Sequence, residues 1–248
     1  MMTSPPSISI ESPDYSTGAA VVSARTRALG LATSPPPVSP VRLAVLLSGT
    51  GRSLANLLAT IERGELAAEV VTVVSSVEGA GGLTIARDAG IPALAIPRRG
   101  FGDDASYSEA ILRAVAPVRP SLLLLAGFLR KLVVPEALAG RILNIHPALL
   151  PEASYAAGRG FYGERVHAAV LAHGATESGA TVHVVDNGYD TGPVVLRARV
   201  PVQPGDTAAT LGTRVFAAEC VLYPEAIRRV AATLPGPDEG DDPWAAWS

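Results

Sequence analysis

Three short stretches hold residue types that can do chemistry. The first is Asn144-Ile145-His146-Pro147. Asn144 and His146 are two residues apart, so along an extended strand both face the same side. A carboxamide beside an imidazole suits acyl transfer: the amide steadies a developing oxyanion and the imidazole handles protons. In isolation the same pair reads more readily as a core histidine beside a strand-end asparagine. The second stretch is Asp190-Thr191-Gly192-Pro193. An aspartate ahead of Gly-Pro is usually a turn former. It becomes catalytic only if its loop folds back beside His146, where a carboxylate would raise the imidazole pKa and fix its tautomer. The third is Ser48-Gly49-Thr50-Gly51-Arg52-Ser53. Glycines there let backbone amides turn toward a ligand, and a helix starting at that point lends partial positive charge, which together make an anion site. No Gly-Lys-Ser/Thr follows, so this is not a nucleoside triphosphate loop. GTGRSL also lacks the third glycine of the dinucleotide fingerprint. A monophosphate fits better than a dinucleotide. A tight strand-to-helix turn that needs glycine is the alternative, and the donors of Arg52 and Ser53 favour phosphate.

The remaining histidines are less informative. His167 and His173 fall on a predicted helix, where solvent exposure is the plain account. The histidine spacings of 21, 6 and 10 match no common ligand pattern, and there is no His-Glu-x-x-His. No metal is expected.

The elements that must position these residues follow from hydrophobic spacing. Arg42–Leu47 is a continuous apolar strand ending in the Ser48–Gly51 turn. Leu54, Leu57, Leu58 and Ile61 recur at helical spacing, with Gly64 as the stop. Strands are predicted at Val70–Ser75, Ala93–Ile96, Ser121–Ala126 and Ile142–Ile145, and helices at Ala80–Ala89 and Tyr107–Val115. Apolar strands alternating with helices of about ten residues imply βαβ units and a buried parallel sheet. The texture changes after Pro151. A glycine-rich loop at Gly158–Gly163 precedes a helix at Arg165–Leu171. Ala180–Val185 and Val194–Val202 read as an antiparallel pair. Thr207–Val230 is a long final helix capped by Asp206 or Thr207.

Composition narrows the field. The chain has 248 residues, 48% of them hydrophobic, and a formal charge of −3. With a pI near 5.8, a basic nucleic-acid binder is not the default. The single cysteine, Cys220, excludes an intramolecular disulfide framework and a multi-thiolate metal site, and suits a reducing compartment. No apolar run approaches the ~20 residues of a membrane span. A cytoplasmic protein is expected. Residues 1–40 are rich in proline and serine without a sustained apolar period and are expected to be a disordered leader. Residues 41–233 form the folded body, and 234–248 are expected to be an acidic flexible tail that carries both tryptophans.

Taken together, these stretches resemble the phosphoribosylglycinamide formyltransferases, folate-dependent enzymes of purine synthesis. The likeness is carried by VLLSGTGRSLANLL from Val45, LLAGFLRKL from Leu124 and NIHPALLP from Asn144. It continues through GATVHVVDNGYDTGPVVL from Gly179 and AAECVLYPEAI from Ala217. The resemblance implies an α/β fold: a doubly wound, mostly parallel sheet of the formyltransferase type, Rossmann-like in its N-terminal half and mixed in its C-terminal half. It implies formyl transfer from 10-formyltetrahydrofolate, a co-substrate, to the amino group of glycinamide ribonucleotide, without a metal. Asn144, His146 and Asp190 match the family's catalytic trio, with protonated His146 and Asn144 on the oxyanion and Asp190 favouring the imidazolium. Gly51, Arg52 and Ser53 match the phosphate loop, although the family often has Ser-Asn where this chain has Arg-Ser. Glu219 matches a carboxylate that contacts the ribose. Leu129, Arg130, Lys131 and Leu132, with Asn144, match the folate-pocket wall. His183 matches a histidine near the site.

Two departures stand out. A folate-contacting arginine of some members falls near Asp104 here, and Glu152–Gly163 resembles a subgroup with a glycine-rich insert followed by an Arg-x-His-x-Ala helix, here Arg165 and His167. The alternatives are a formyltetrahydrofolate hydrolase, another folate formyltransferase such as one acting on initiator tRNA, and a non-catalytic phosphoribosyl-binding protein. The hydrolase family carries an N-terminal regulatory domain, for which residues 1–40 are too short and too polar. The tRNA enzyme calls for a basic C-terminal domain, whereas this chain ends acidic. Partners on this reading are the two small substrates, with no nucleic acid or membrane, and the chain is a monomer or homodimer.

Overall fold

A computed structural model describes residues 9–11, 40–234 and 242–247. Among these residues eight strands form one sheet: β1 Ser9–Glu11, β2 Val41–Leu47, β3 Ala68–Ser75, β4 Ala93–Ala95, β5 Leu122–Leu125, β6 Ile142–His146, β7 Glu177–Val184 and β8 Val194–Pro201. Among the described residues five α-helices accompany them: α1 Arg52–Glu62, α2 Gly81–Asp88, α3 Asp104–Val115, α4 Glu164–Ala172 and α5 Ala208–Ala231. The strand order is β1-β8-β7-β6-β5-β2-β3-β4. The run from β4 to β6 is parallel, and β6, β7, β8 and β1 pair antiparallel. The fold is α/β, with a parallel N-terminal half and a mixed C-terminal half.

Strand β2 explains why the sequence reads as an unbroken apolar run. Leu43, Val45 and Leu47 point into the core that holds α1, α2, α4 and α5, and Ala44 and Leu46 point into the one that holds α3. All five are fully buried, because helices cover both faces of the sheet. The chain leaves β2 in one direction toward β3 and β4, and returns on its other side to β5 and β6. Such a reversal opens a crevice at the carboxyl ends of the central strands.

Helix α3 begins three residues before Tyr107 because of a capping box that hydrophobic spacing does not reveal. The Asp103 carboxylate accepts from the Ser106 amide at 2.7 Å, and the Ser106 hydroxyl accepts from the Asp103 amide at 3.5 Å. Thr207, not Asp206, caps α5, accepting from the Thr210 amide at 3.2 Å. Asp206 instead pairs with Arg214 at 2.8 Å. The Tyr223 hydroxyl on α5 lies between the carbonyls of Leu125 and Leu143, at 3.2 and 3.1 Å, which pins α5 across β5 and β6.

Two stretches expected to be loose are packed. Ser9–Glu11 supplies the edge strand β1, covering the open hydrogen-bonding groups of β8, and Glu11 lies 3.0 Å from Arg199. Trp244 is 2% exposed in the α3 core, and its indole donates to the Pro120 carbonyl at 2.9 Å. A buried indole with its N–H satisfied holds 242–247 against the body, which corrects the expectation of a flexible tail for those six residues. The rest of the leader and tail lies outside the described residues. Among the described residues no helix is long and apolar enough to cross a membrane.

Candidate active site

His146 ends β6 with only 4% of its surface exposed. Its Nε2 lies 2.9 Å from the Ala156 carbonyl, which can only accept, so Nε2 carries the proton. Its Nδ1 faces Asp190 Oδ2 at 3.7 Å. Asn144, two residues back, sits opposite His183 in the β6–β7 register. The His183 Nδ1 donates to the Val184 carbonyl at 3.0 Å, leaving Nε2 to accept from the Asn144 amide at 3.0 Å. The second Asn144 N–H donates to Asp190 Oδ1 at 3.2 Å. Asp190 Oδ2 also accepts from the Gly158 amide at 2.8 Å.

The 185–193 loop delivers Asp190 by its own turn chemistry. Asp186 accepts from the Gly188 amide at 2.8 Å and from the Thr191 hydroxyl at 2.9 Å. Gly192 passes so close to the Val184 carbonyl that a Cβ there would lie 1.8 Å from its oxygen. Asp190 itself has φ 56°, a left-handed conformation that aspartate tolerates better than most residues. Position 190 is therefore both a turn residue and a neighbour of His146.

Electrostatics correct one expectation. Burial pushes the His146 pKa down and Asp190 pulls it up, and burial wins, so the pKa lies below its ordinary value. The resting ring is neutral rather than an imidazolium. Both ring nitrogens nevertheless face oxygen atoms, so a proton gained during reaction finds two acceptors already in place. Burial pushes the Asp190 carboxyl up, but His183, His146 and the Gly158 amide outweigh it, and Asp190 stays ionised. Asn144 also differs from its expected role. Both its amide hydrogens are engaged within the protein, so it bonds an oxyanion only by releasing one of them.

These groups line a cleft of about 720 Å³, within the size range of small-molecule sites. At one end is the N-terminus of α1. Gly51 has φ 81°, and a Cβ there would sit 2.5 Å from Gly82 Cα, so glycine is required. No side chain caps α1, so its first-turn amides are open to an anion. Arg52 stacks 4.3 Å over Phe216 beside Glu219. Desolvation raises the Glu219 pKa to about 7, and the charge of Arg52 opposes that rise. At the other end, Leu129, Arg130, Lys131 and Leu132 form the wall after β5. The Leu129 amide donates to Ser48 Oγ at 2.9 Å, joining the two ends, and Lys131 Nζ lies 5.0 Å from the Tyr189 ring. Asp104 is occupied by Arg98 at 3.1 Å, which places a cation in that wall.

Every residue the sequence singled out for chemistry or binding, from Gly51 and Ser53 to Glu219, lines this one cleft. Sequence reasoning missed the backbone of Ala156 and Gly158 and the ring of Phe216, and it read His167 as solvated, whereas it is 6% exposed. The resemblance did mark His167, within an Arg-x-His-x-Ala helix that follows the glycine-rich insert, but gave it no role. Cys220 is half-buried with its thiol pKa raised by burial, and is no nucleophile. Among the described residues no group of three or more His, Cys, Asp or Glu is arranged to hold a metal ion.

Comparison with known proteins agrees with this geometry. A trifunctional purine biosynthetic protein adenosine-3 of Drosophila pseudoobscura pseudoobscura is 40% identical over 195 residues, 77% of this chain but 14% of the relative. A phosphoribosylglycinamide formyltransferase of Haemophilus influenzae is 34% identical over 75% of this chain and 85% of its own. The crystal structure of glycinamide ribonucleotide transformylase 1 from Symbiobacterium toebii superposes with a TM-score of 0.72 at 35% identity, covering 81% of this chain and 92% of that one. The family model described as formyl transferase matches residues 41–227, which span the sheet from β2 to β8, the cleft and most of α5. With the strand-end trio, the open helix N-terminus and the cleft between them all inside the matched region, the chain belongs to the formyl transferase family.

Proposed function

We propose that this chain transfers the formyl group of 10-formyltetrahydrofolate to the amino group of glycinamide ribonucleotide. The observation that carries the reading is one cleft running from an open helix N-terminus, suited to a phosphate, past the His146–Asp190 pair, to a wall of leucines and cations after β5 suited to a folate. The nucleotide's phosphate is held by the amides of Gly51, Arg52 and Ser53 and by the Arg52 side chain, and its ribose by Glu219. The folate lies against Leu129, Arg130, Lys131 and Leu132.

The amine attacks the formyl carbon, forming the new C–N bond and leaving negative charge on the formyl oxygen. Asn144 exchanges its 3.2 Å bond to Asp190 for that oxygen, keeping the 3.0 Å bond to His183. The nitrogen turns positive as it attacks and loses a proton toward His146 Nδ1, directly or through a water. Asp190 and the Ala156 carbonyl stabilise the imidazolium so formed. The proton then passes to the folate nitrogen as its bond to carbon breaks. Nothing in these steps is covalently attached to the protein.

The test is turnover of the purified chain with 10-formyltetrahydrofolate, with and without glycinamide ribonucleotide. Formyl transfer that requires the nucleotide is expected. Release of formate at the same rate without it identifies a hydrolase and overturns the reading.

A further inference from the structure

His167 does nothing in the mechanism above, yet its placement is costly. It is 6% exposed on α4, and its Nδ1 is sealed from solvent without a hydrogen-bond partner. No hydrogen bond reaches Nε2 either among the described residues, but Nε2 is not sealed. The ring lines the cleft and packs against Gly212 of α5, where an added Cβ would lie 2.8 Å from its Cδ2 and 3.1 Å from its Nε2. A helix-interior glycine costs about 1 kcal/mol relative to alanine, and here it makes room for an imidazole. Burying an imidazole with neither nitrogen satisfied is unfavourable unless a ligand completes it.

Position indicates which ligand. His167 is near enough to His146 and Arg52 that both interact with it electrostatically. It therefore lies near both the group that receives the amine's proton and the group that meets the phosphate, and all three line the same cleft. A nucleotide that reaches from Arg52 to His146 occupies the cleft that His167 lines.

We propose that His167 is a further substrate-binding residue, donating from Nε2 to an oxygen of the sugar–amide portion of the ribonucleotide, between its phosphate and its amine. The proposal rests on the formyl-transfer reading. The neutral ring suits this role: with its proton on Nε2, it offers one donor to a neutral oxygen and adds no charge to the folate end of the cleft.

The experiment compares the full-length parent with His167→Phe and His167→Gln, measuring steady-state kinetics in both substrates. Phe keeps a ring against Gly212 and removes the donor, whereas Gln restores an N–H at similar reach. H167F is expected to raise the nucleotide KM by about tenfold, one lost hydrogen bond, with the folate KM within about twofold of the parent. H167Q is expected to recover most of that loss. An unchanged nucleotide KM in folded H167F, or equal losses for both substrates, overturns the proposal while leaving an active parent and the formyl-transfer reading intact. If H167F does not fold, H167Q decides: a nucleotide KM near the parent's, in folded protein, supports the donor role, and a loss as large as tenfold contradicts it. A parent inactive toward the ribonucleotide overturns both.

Discussion

At the end of β2 the cleft is made of backbone; at the ends of β6 and β7 it is made of side chains. The α1 terminus binds through amides whose direction is set by the helix and by one glycine in a left-handed conformation, packed against Gly82. The amides themselves neither titrate nor depend on a side chain far away in sequence. The other region joins Asn144, His146, His183 and Asp190 with the backbone of Ala156 and Gly158, brought from β6, β7 and two loops. Its charges and donors depend on one another, and burial sets the protonation state of the ring. The first region should therefore fail by losing affinity, and the second by losing rate.

Three substitutions sharpen or break that contrast. The largest effect is expected from Asp190→Asn, which removes the charge facing His146 and keeps the size of the side chain. Its kcat should fall at least ~10²-fold, with both KM values little changed. Intact kcat with only lower stability would make position 190 a turn former and nothing more. Next is Gly51→Ala. Its Cβ would meet Gly82 Cα at 2.5 Å, with φ 81° to maintain. Nucleotide KM should rise by about tenfold and stability fall by ~1–3 kcal/mol, with a smaller change in kcat. A kcat loss matching that of D190N would mean that the two regions are not separable.

The smallest effect is expected from Glu219→Gln, on stability without ligands. The Glu219 pKa of about 7 lies above its ordinary value, so the stability it adds is present at low pH and is lost as pH rises through 7. Glutamine stays neutral throughout. Denaturant midpoints should nearly coincide at pH 4, below the ordinary carboxyl pKa, and at pH 8 the variant should be the more stable of the two. No gap at pH 8 would show that the carboxylate is solvated in the free protein.

The same contrast governs what could be read from residues alone. The β2 turn was legible because its signals are adjacent: an apolar strand, glycines and a helical repeat within twenty residues. The parallel half and the β7–β8 pair followed from hydrophobic period for the same reason. The Asn144–His146 spacing pointed to one face of a strand, but not to Asp190, whose sequence neighbours spell a turn whether or not it meets a histidine. The bonds from Ala156 and Gly158 are backbone bonds and leave no trace in residue type. His167 read as an exposed helix position because α4 alone does not reveal that α5 closes over it at Gly212. Trp244 read as part of a loose tail because its pocket is formed by α3 and Pro120, more than a hundred residues earlier.

The central claim is that His146 and Asp190 work as one acid–base unit. A double-mutant cycle on kcat tests it most directly, with His146→Asn, Asp190→Asn and the pair together. Each single change should cost at least ~10²-fold, and the double should be no more than about tenfold worse than the more damaging single. A double mutant whose loss is the full product of the two singles, ~10⁴-fold or more, would mean that the residues act independently, and the 3.7 Å approach of Nδ1 to Oδ2 would then be proximity without function.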